Sequence, residues 1–263
     1  MKTLFVVSGN NDIGSGHIKR CILLSNKLKK DNFFFIGIKK QKYFNVPNNL
    51  EYEIKKFNRK DILILLNYCK KLGITRIIID HTNINFEIQK KLFKKYFLVV
   101  FDSQKKINFM TNVIINANPI IQEQNYINRI KNKKFSLLLG GDYSLIDVPK
   151  RVKRKKINNI FFCFGGGDDR GILFDLLKYL KKNNLNSTYR YNLVVGPFNK
   201  NFVKYQGYIK KNNLKNIKLM FNPQNIYEIM QQCSYAVISP GTLFYELSFY
   251  SIPMFLVYLN DKQ

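Results

Sequence analysis

Short apolar runs of strand length alternate with helix-length amphipathic stretches along nearly the whole of this 263-residue chain. That alternation constrains its fold more than any other feature. In the first half the runs are TLFVVS (3–8), FFFIGI (33–38), RIIID (76–80), YFLVVFD (96–102) and NVIINA (112–117). They are continuously apolar, as strands covered on both faces must be. Between them, His17–Lys30, Arg59–Leu72 and Asn85–Lys95 carry apolar residues at helical spacing, and Asp61–Cys69 is apolar enough to pack on a sheet. The second half repeats the plan with NIFFCFGG, YNLVVG, IKLMF, YAVIS and PMFLVYL. Helical stretches near Gly171–Lys182, Lys200–Asn212, Ile226–Gln232 and Thr242–Tyr250 separate these. Strand–helix alternation at this spacing implies right-handed crossovers and parallel sheets. The pattern therefore predicts an α/β chain of two doubly wound, Rossmann-like domains, residues 1–148 and 158–263. The basic run PKRVKRKK (149–156) joins them and reads as a solvated linker. Ligands of such folds sit beyond the carboxyl ends of the strands, which makes the cleft between the halves the expected site.

Composition narrows the class. A hydrophobic content of 46% with 14% aromatic residues supports packed cores and argues against disorder. No stretch approaches the ~20 uninterrupted apolar residues that cross a bilayer. The apolar run at the start is about five residues long, too short for a secretory signal and suited to a buried first strand. The cysteines Cys21, Cys69, Cys163 and Cys233 are widely spaced, with apolar neighbours and no metal-ligand spacing. They are expected to be reduced, partly buried thiols of a cytoplasmic protein that uses no metal or other cofactor. The net charge of +27 is spread over nearly every segment, without a recognition-helix, zinc-finger or RNA-binding signature. It favours anionic ligands rather than a specific nucleic acid.

Three glycine-rich strand-to-helix turns carry the chemistry. The first, GNNDIGSGHIKR (9–20), nearly fits a phosphate-binding P-loop, but Ser15 stands where the lysine should be. It also fails as a dinucleotide fingerprint, because Lys19 occupies the third glycine position. What remains is a turn, with Gly14 and Gly16, that delivers His17 to a helix start. Glycines let a ligand approach backbone N–H groups, and a helix N-terminus disfavours added positive charge, which suits a proton-accepting imidazole. IIIDHTN (77–83) puts Asp80 and His81 at a strand end, placed to orient a base, to bind substrate hydroxyls, or merely to cap a helix. LVVFD puts Asp102 at another strand end. In the second turn, CFGGGDDRG (163–171), Gly165, Gly166 and Gly167 suit close approach to a phosphate or sugar, and Asp168 reads as an N-cap. In the third, ISPGTLFYEL (238–247), Gly241 and Thr242 open a helix and Glu246 lies one turn on. The hydroxyl and N–H groups suit a diphosphate, and the carboxylate suits a diol such as that of ribose.

Taken together, GSGHIKRC, IIIDH, LVVFD, INAN, LGGDYSLI, CFGGGD and ISPGTLFYEL follow one another in an order and spacing that define a family. The chain resembles the UDP-2,4-diacetamido-2,4,6-trideoxy-β-L-altropyranose hydrolases of pseudaminic acid biosynthesis. The resemblance covers nearly the whole chain and is most specific at GxGHxxR, here Gly14, Gly16, His17 and Arg20. It implies the two-domain GT-B fold, with the family a compact relative of the UDP-N-acetylglucosamine transferase of peptidoglycan synthesis. It implies hydrolysis at the anomeric carbon with inversion, releasing UDP and the free diacetamido sugar, with His17 as the general base. It implies that Gly14, Gly16, Arg20, Asp80, His81, Tyr143, Gly165, Gly166, Gly241, Thr242 and Glu246 bind the substrate, and that the protein acts as a monomer. UDP is a good leaving group, so the reaction makes little demand for a strong general acid. The chain departs from the family pattern at Thr82 (usually Tyr), Ser103 (often Asp) and Asp147 (usually Arg). It ends in NDKQ, where the pattern continues through an Asn-Gln pair into a final helix. The alternatives are a UDP-sugar glycosyltransferase of the same fold and a non-catalytic nucleotide-sugar binder.

Overall fold

A computed structural model describes residues 1–9, 15–28, 32–38, 45–54, 57–102, 107–150, 158–167, 169–183 and 189–259. The chain divides into two compact units. The first comprises Met1–Ser8 and His17–Leu145, the second Gly9–Gly16 and Ile146–Gln263.

The first unit holds strands β1 (Lys2–Val7), β2 (Asn32–Gly37), β3 (Asn49–Glu53), β4 (Arg76–Asp80), β5 (Phe97–Phe101), β6 (Val113–Asn116) and β7 (Ser136–Leu139). Its helices are α1 (Gly16–Lys27), α2 (Arg59–Leu72) and α3 (Phe86–Phe93). The strands form one parallel sheet in the order β3-β2-β1-β4-β5-β6-β7. Leu4, Val6, Ile77, Ile79, Leu98 and Val100 from its centre pack with Leu65 and Cys69 of α2 and Ile88 and Leu92 of α3. Each such burial contributes about 1.5–3 kcal/mol. Local chemistry sets the helix starts. Asn58 and Asp61 form a reciprocal capping box on α2, and the Asn85 side chain accepts from Ile88 N–H on α3.

The second unit holds β8 (Asn159–Cys163), β9 (Arg190–Val195), β10 (Ile217–Phe221), β11 (Tyr235–Ile238) and β12 (Met254–Leu256). Its helices are α4 (Ile172–Lys182), α5 (Phe202–Lys211), α6 (Ile226–Gln231) and α7 (Thr242–Phe249). This sheet is also parallel, in the order β10-β9-β8-β11-β12. Alternate residues of β8 enter opposite cores. Phe162 packs with Leu173, Leu177 and Tyr205 of α4 and α5, whereas Phe161 and Cys163 pack with Met230 and Leu247 of α6 and α7. Both units are thus doubly wound, as the alternation requires.

Two strands lack a signal in the sequence. β3 (NLEYE) and β7 (SLLL) are the edges of the first sheet and remain largely half-exposed. An edge pairs on one side only, so it needs no long apolar run. The expected run PMFLVYL shortens to Met254–Leu256 for the same reason, with Phe255 68% exposed on the edge of the second sheet. All four cysteines are buried thiols outside any disulfide. Among the described residues, no helix is long and apolar enough to cross a membrane. Gly14, Ser103, Asp168, most of the basic run and the terminal NDKQ lie outside the described residues.

Candidate functional site

In each sheet the chain reverses its direction of winding at one place. From β1 it lays down β2 and β3 on one side, then returns to place β4 to β7 on the other. The crevice at such a switch point, at the carboxyl ends of the flanking strands, is where open α/β sheets bind ligands. In the first unit those ends are Val7 and Asp80, which lie directly opposite each other. Ser8 N–H donates to the Asp80 carbonyl at 3.1 Å.

The start of α1 delivers four side-chain donor atoms to this point. His17 Nδ1 meets Asp80 Oδ1. Arg20, on the same helix face one turn on, donates from Nε to Oδ2 and from Nη2 to Oδ1 as a two-pronged fork. The Cys21 thiol donates to Oδ2 at 3.6 Å. The guanidinium also lies over the Phe101 ring, 4.8 Å from its centroid. Asp80 is 1% exposed, whereas the His17 side chain keeps 17% of its surface open. Burial on its own would push the Asp80 carboxyl up, but the charge of Arg20 and the hydrogen bonds from Arg20 and His17 outweigh it and hold the group well below the usual carboxylate range. Burial opposes the charge on Arg20, and Asp80 more than restores it. Burial also pushes the Cys21 thiol well above its ordinary range, which leaves it a protonated donor rather than a nucleophile. Because the carboxylate can only accept, the hydrogen faces it from Nδ1, which in the neutral ring leaves the lone pair on Nε2. The arrangement is a histidine oriented by a buried carboxylate, with a proton-accepting nitrogen on the opposite edge of its ring.

His81, the neighbour of Asp80 in sequence, does a different job. Its Nε2 donates to the Ile54 carbonyl at 2.7 Å, Nδ1 accepts from Asn83 N–H at 3.1 Å, and Phe57 packs edge-on against the ring. With both nitrogens engaged by main chain and 4% exposure, it ties the loop after β4 to the end of β3. Asp102 is likewise buried: Tyr126 Oη donates to its Oδ2 at 2.7 Å and accepts from Asn116 Nδ2 at 2.8 Å. Tyr143 stands on a single helical turn, Gly141–Tyr143, and is 42% exposed.

In the second unit the reversal falls between β8 and β11, so the turns after Cys163 and Ile238 lie at its switch point. These are the two glycine-rich turns of the second half, Gly165–Gly166 and Gly241–Thr242. Gly165 sits at φ +92°, where side chains are strained. A Cβ on Gly166 would stand 2.3 Å from Ser15 Oγ and 2.7 Å from Ser15 N. Ser15 belongs to the Gly9–Gly16 segment, which groups with this unit. Gly166→Ala is therefore expected to cost about 1–3 kcal/mol, read as a lowered thermal midpoint. Gly16 and Gly241 are under no such pressure. A Cβ on Gly16 would meet Thr242 Oγ1 at an ordinary 4.0 Å, and one on Gly241 would meet nothing within 4 Å.

Three residues here escaped sequence reasoning. Asp169, 1% exposed, accepts from Gly171 N–H at 2.9 Å and from Tyr205 Oη at 2.7 Å, and so fixes the turn that leads into α4. Tyr227 of α6 donates to Glu246 Oε1 at 3.1 Å. Tyr205 and Tyr227 sit among apolar residues of amphipathic helices, and nothing in such a pattern separates a packed tyrosine from one that holds a carboxylate.

No family model matches the chain. Among curated proteins it is 27% identical over 287 residues to an uncharacterized protein of Methanocaldococcus jannaschii, an alignment that spans 100% of this chain and 57% of that protein. It is 25% identical over 249 residues to the UDP-2,4-diacetamido-2,4,6-trideoxy-beta-L-altropyranose hydrolase of Campylobacter jejuni, spanning 92% of this chain and 86% of the hydrolase. The chain thus covers little more than half the length of the first relative and most of the second. Among solved structures, MurG of Acinetobacter baumannii superposes with a TM-score of 0.59 at 12% identity, covering 99% of this chain and 79% of MurG. A glycosyltransferase of Rickettsia africae superposes with a TM-score of 0.61 at 11% identity, covering 96% and 78%. The fold is that of the GT-B glycosyltransferases, two parallel-sheet α/β domains.

Proposed function

We propose that the chain is a nucleotide-sugar hydrolase that releases UDP and a free 2,4-diacetamido-2,4,6-trideoxy sugar by attack of water on the anomeric carbon, with inversion. The observation that carries this reading is the His17–Asp80 pair at the switch point of the first sheet. His17 Nε2 takes a proton from water as the water oxygen bonds to the anomeric carbon. The bond from that carbon to the diphosphate oxygen breaks, and its electron pair leaves with UDP. His17 then returns the proton to solvent. Asp80 keeps the imidazole in the working tautomer and balances the charge it gains, while Arg20 holds Asp80. In the second unit, the backbone N–H groups of the turns at Gly165–Gly166 and Gly241–Thr242, with the Thr242 hydroxyl, would receive the diphosphate. Glu246 would receive the ribose diol. The likeness to the Campylobacter jejuni hydrolase supports the choice of substrate.

A second reading, transfer of the sugar to an acceptor, is favoured by the glycosyltransferase fold neighbours. Incubation with the UDP-sugar in buffer, followed by NMR, separates the two. Stoichiometric UDP release with the inverted anomer formed first is the expected result. Release that requires an added acceptor would select the transferase. Tight UDP binding without turnover would select a binding protein.

A further inference from the structure

Helices α6 and α7 cover the same face of the second sheet. Ile226, Tyr227, Leu243 and Phe244 pack there against a core of Phe161, Met230, Ile238 and Leu247. Across the junction, Tyr227 Oη donates to Glu246 Oε1 at 3.1 Å. Burial, and then the adjacent Glu246 charge, push the Tyr227 phenol well above its usual range, so it stays an O–H donor at any working pH. A second tyrosine ties down the same region, since Tyr250 Oη donates to the Pro149 carbonyl at 3.0 Å. An unanchored glutamate samples many rotamers and loses that freedom whenever it binds. Tyr227 removes the cost in advance. A carboxylate accepts at about four lone-pair sites, of which the Tyr227 phenol uses one, on Oε1.

We infer that Tyr227 is a positioning residue that sets Glu246 to select a ribose over a 2′-deoxyribose in the bound nucleotide. The inference rests on the UDP reading above. A pre-set carboxylate at the diol accepts from both the 2′- and the 3′-hydroxyl, so a 2′-deoxy nucleotide keeps only the 3′ contact, whereas contacts to base and diphosphate are common to both. Selectivity should therefore depend on the Tyr227–Glu246 hydrogen bond.

The test is isothermal calorimetry of the full chain with UDP and with 2′-deoxy-UDP. The unsubstituted protein is expected to prefer UDP by roughly 10-fold to 100-fold, the range for a hydrogen bond to a charged group. Tyr227→Phe keeps the ring and its packing. It should cut that preference by roughly 3-fold to 10-fold, because UDP, which uses both hydroxyls, is weakened more than 2′-deoxy-UDP, which keeps only the 3′ contact. Glu246→Ala should abolish the preference. Equal weakening of both nucleotides in Tyr227→Phe would reveal a purely structural tyrosine and overturn the inference, as would an unchanged ratio. Equal affinity of the unsubstituted protein for both nucleotides would overturn it at Glu246. Absence of UDP binding would instead overturn the UDP reading itself.

Discussion

Replacing Asp80 with asparagine should cost more than any other single change in this protein, in activity and in stability together. The carboxylate accepts from His17, Arg20 and Cys21 while 1% exposed. An amide in its place turns a donating NH2 group toward His17 Nδ1. The ring hydrogen then moves to Nε2, the nitrogen assigned to accept a proton from water. Turnover should fall on the order of ten-thousandfold, the scale of the same substitution in a Ser-His-Asp triad. Stability should fall by about 3 kcal/mol, the lower end for breaking a buried pair, because the Arg20 side chain retains 28% of its exposure. Adding Arg20→Gln to Asp80→Asn should recover stability without recovering turnover. Chemical denaturation and UDP-release assays of the two single variants and the double variant measure the separation directly. Acid provides a second handle. The folded carboxyl titrates below its unfolded value of ~3.9, so the unfolded chain binds the proton first. The stabilisation is whole above about pH 4 and is lost as pH falls further toward the folded value. Asp80→Asn should remove that part of the acid dependence.

The second large effect is expected at His17. His17→Ala should lower the rate of UDP release by about a hundredfold to ten-thousandfold, the usual contribution of a positioned general base. Asp80 keeps its fork to Arg20 in this variant, and the lost side chain is partly open to solvent, so the thermal midpoint should move little. UDP affinity, assigned to the second unit, should not change. That combination separates a lost base from a lost fold. Unchanged turnover in His17→Ala would sink the mechanism, and lost UDP affinity would show that His17 helps to bind the nucleotide.

Much of this architecture was legible in the chain alone, because its determinants are local. Seven helices were placed within a few residues, α2 at its observed bounds of Arg59–Leu72, since capping and apolar periodicity act over one or two turns. The buried strands declared themselves by continuous apolar runs, and the three glycine-rich turns by composition. The edge strands β3 and β7 did not, because a half-exposed edge needs neither a long apolar run nor a second partner.

What the sequence could not settle was which polar groups meet. Asp80 and His81 are adjacent, and in the sequence either was equally able to orient a base. Side chains of consecutive residues at a strand end point to opposite sides, and only the order of the sheet says which side faces α1. With β4 beside β1, Asp80 reaches His17 across 63 residues, while His81 turns to the main chain of Ile54 and Asn83. Tyr227 and Glu246, on separate helices, likewise come together only because both helices pack on one face of the second sheet. The sequence by itself determined the parallel α/β halves and the turns that carry the chemistry, since periodicity, capping and glycine content are near-neighbour properties. The tertiary structure alone decided the partners within each unit, since those depend on strand order and helix packing, which no local stretch of chain encodes.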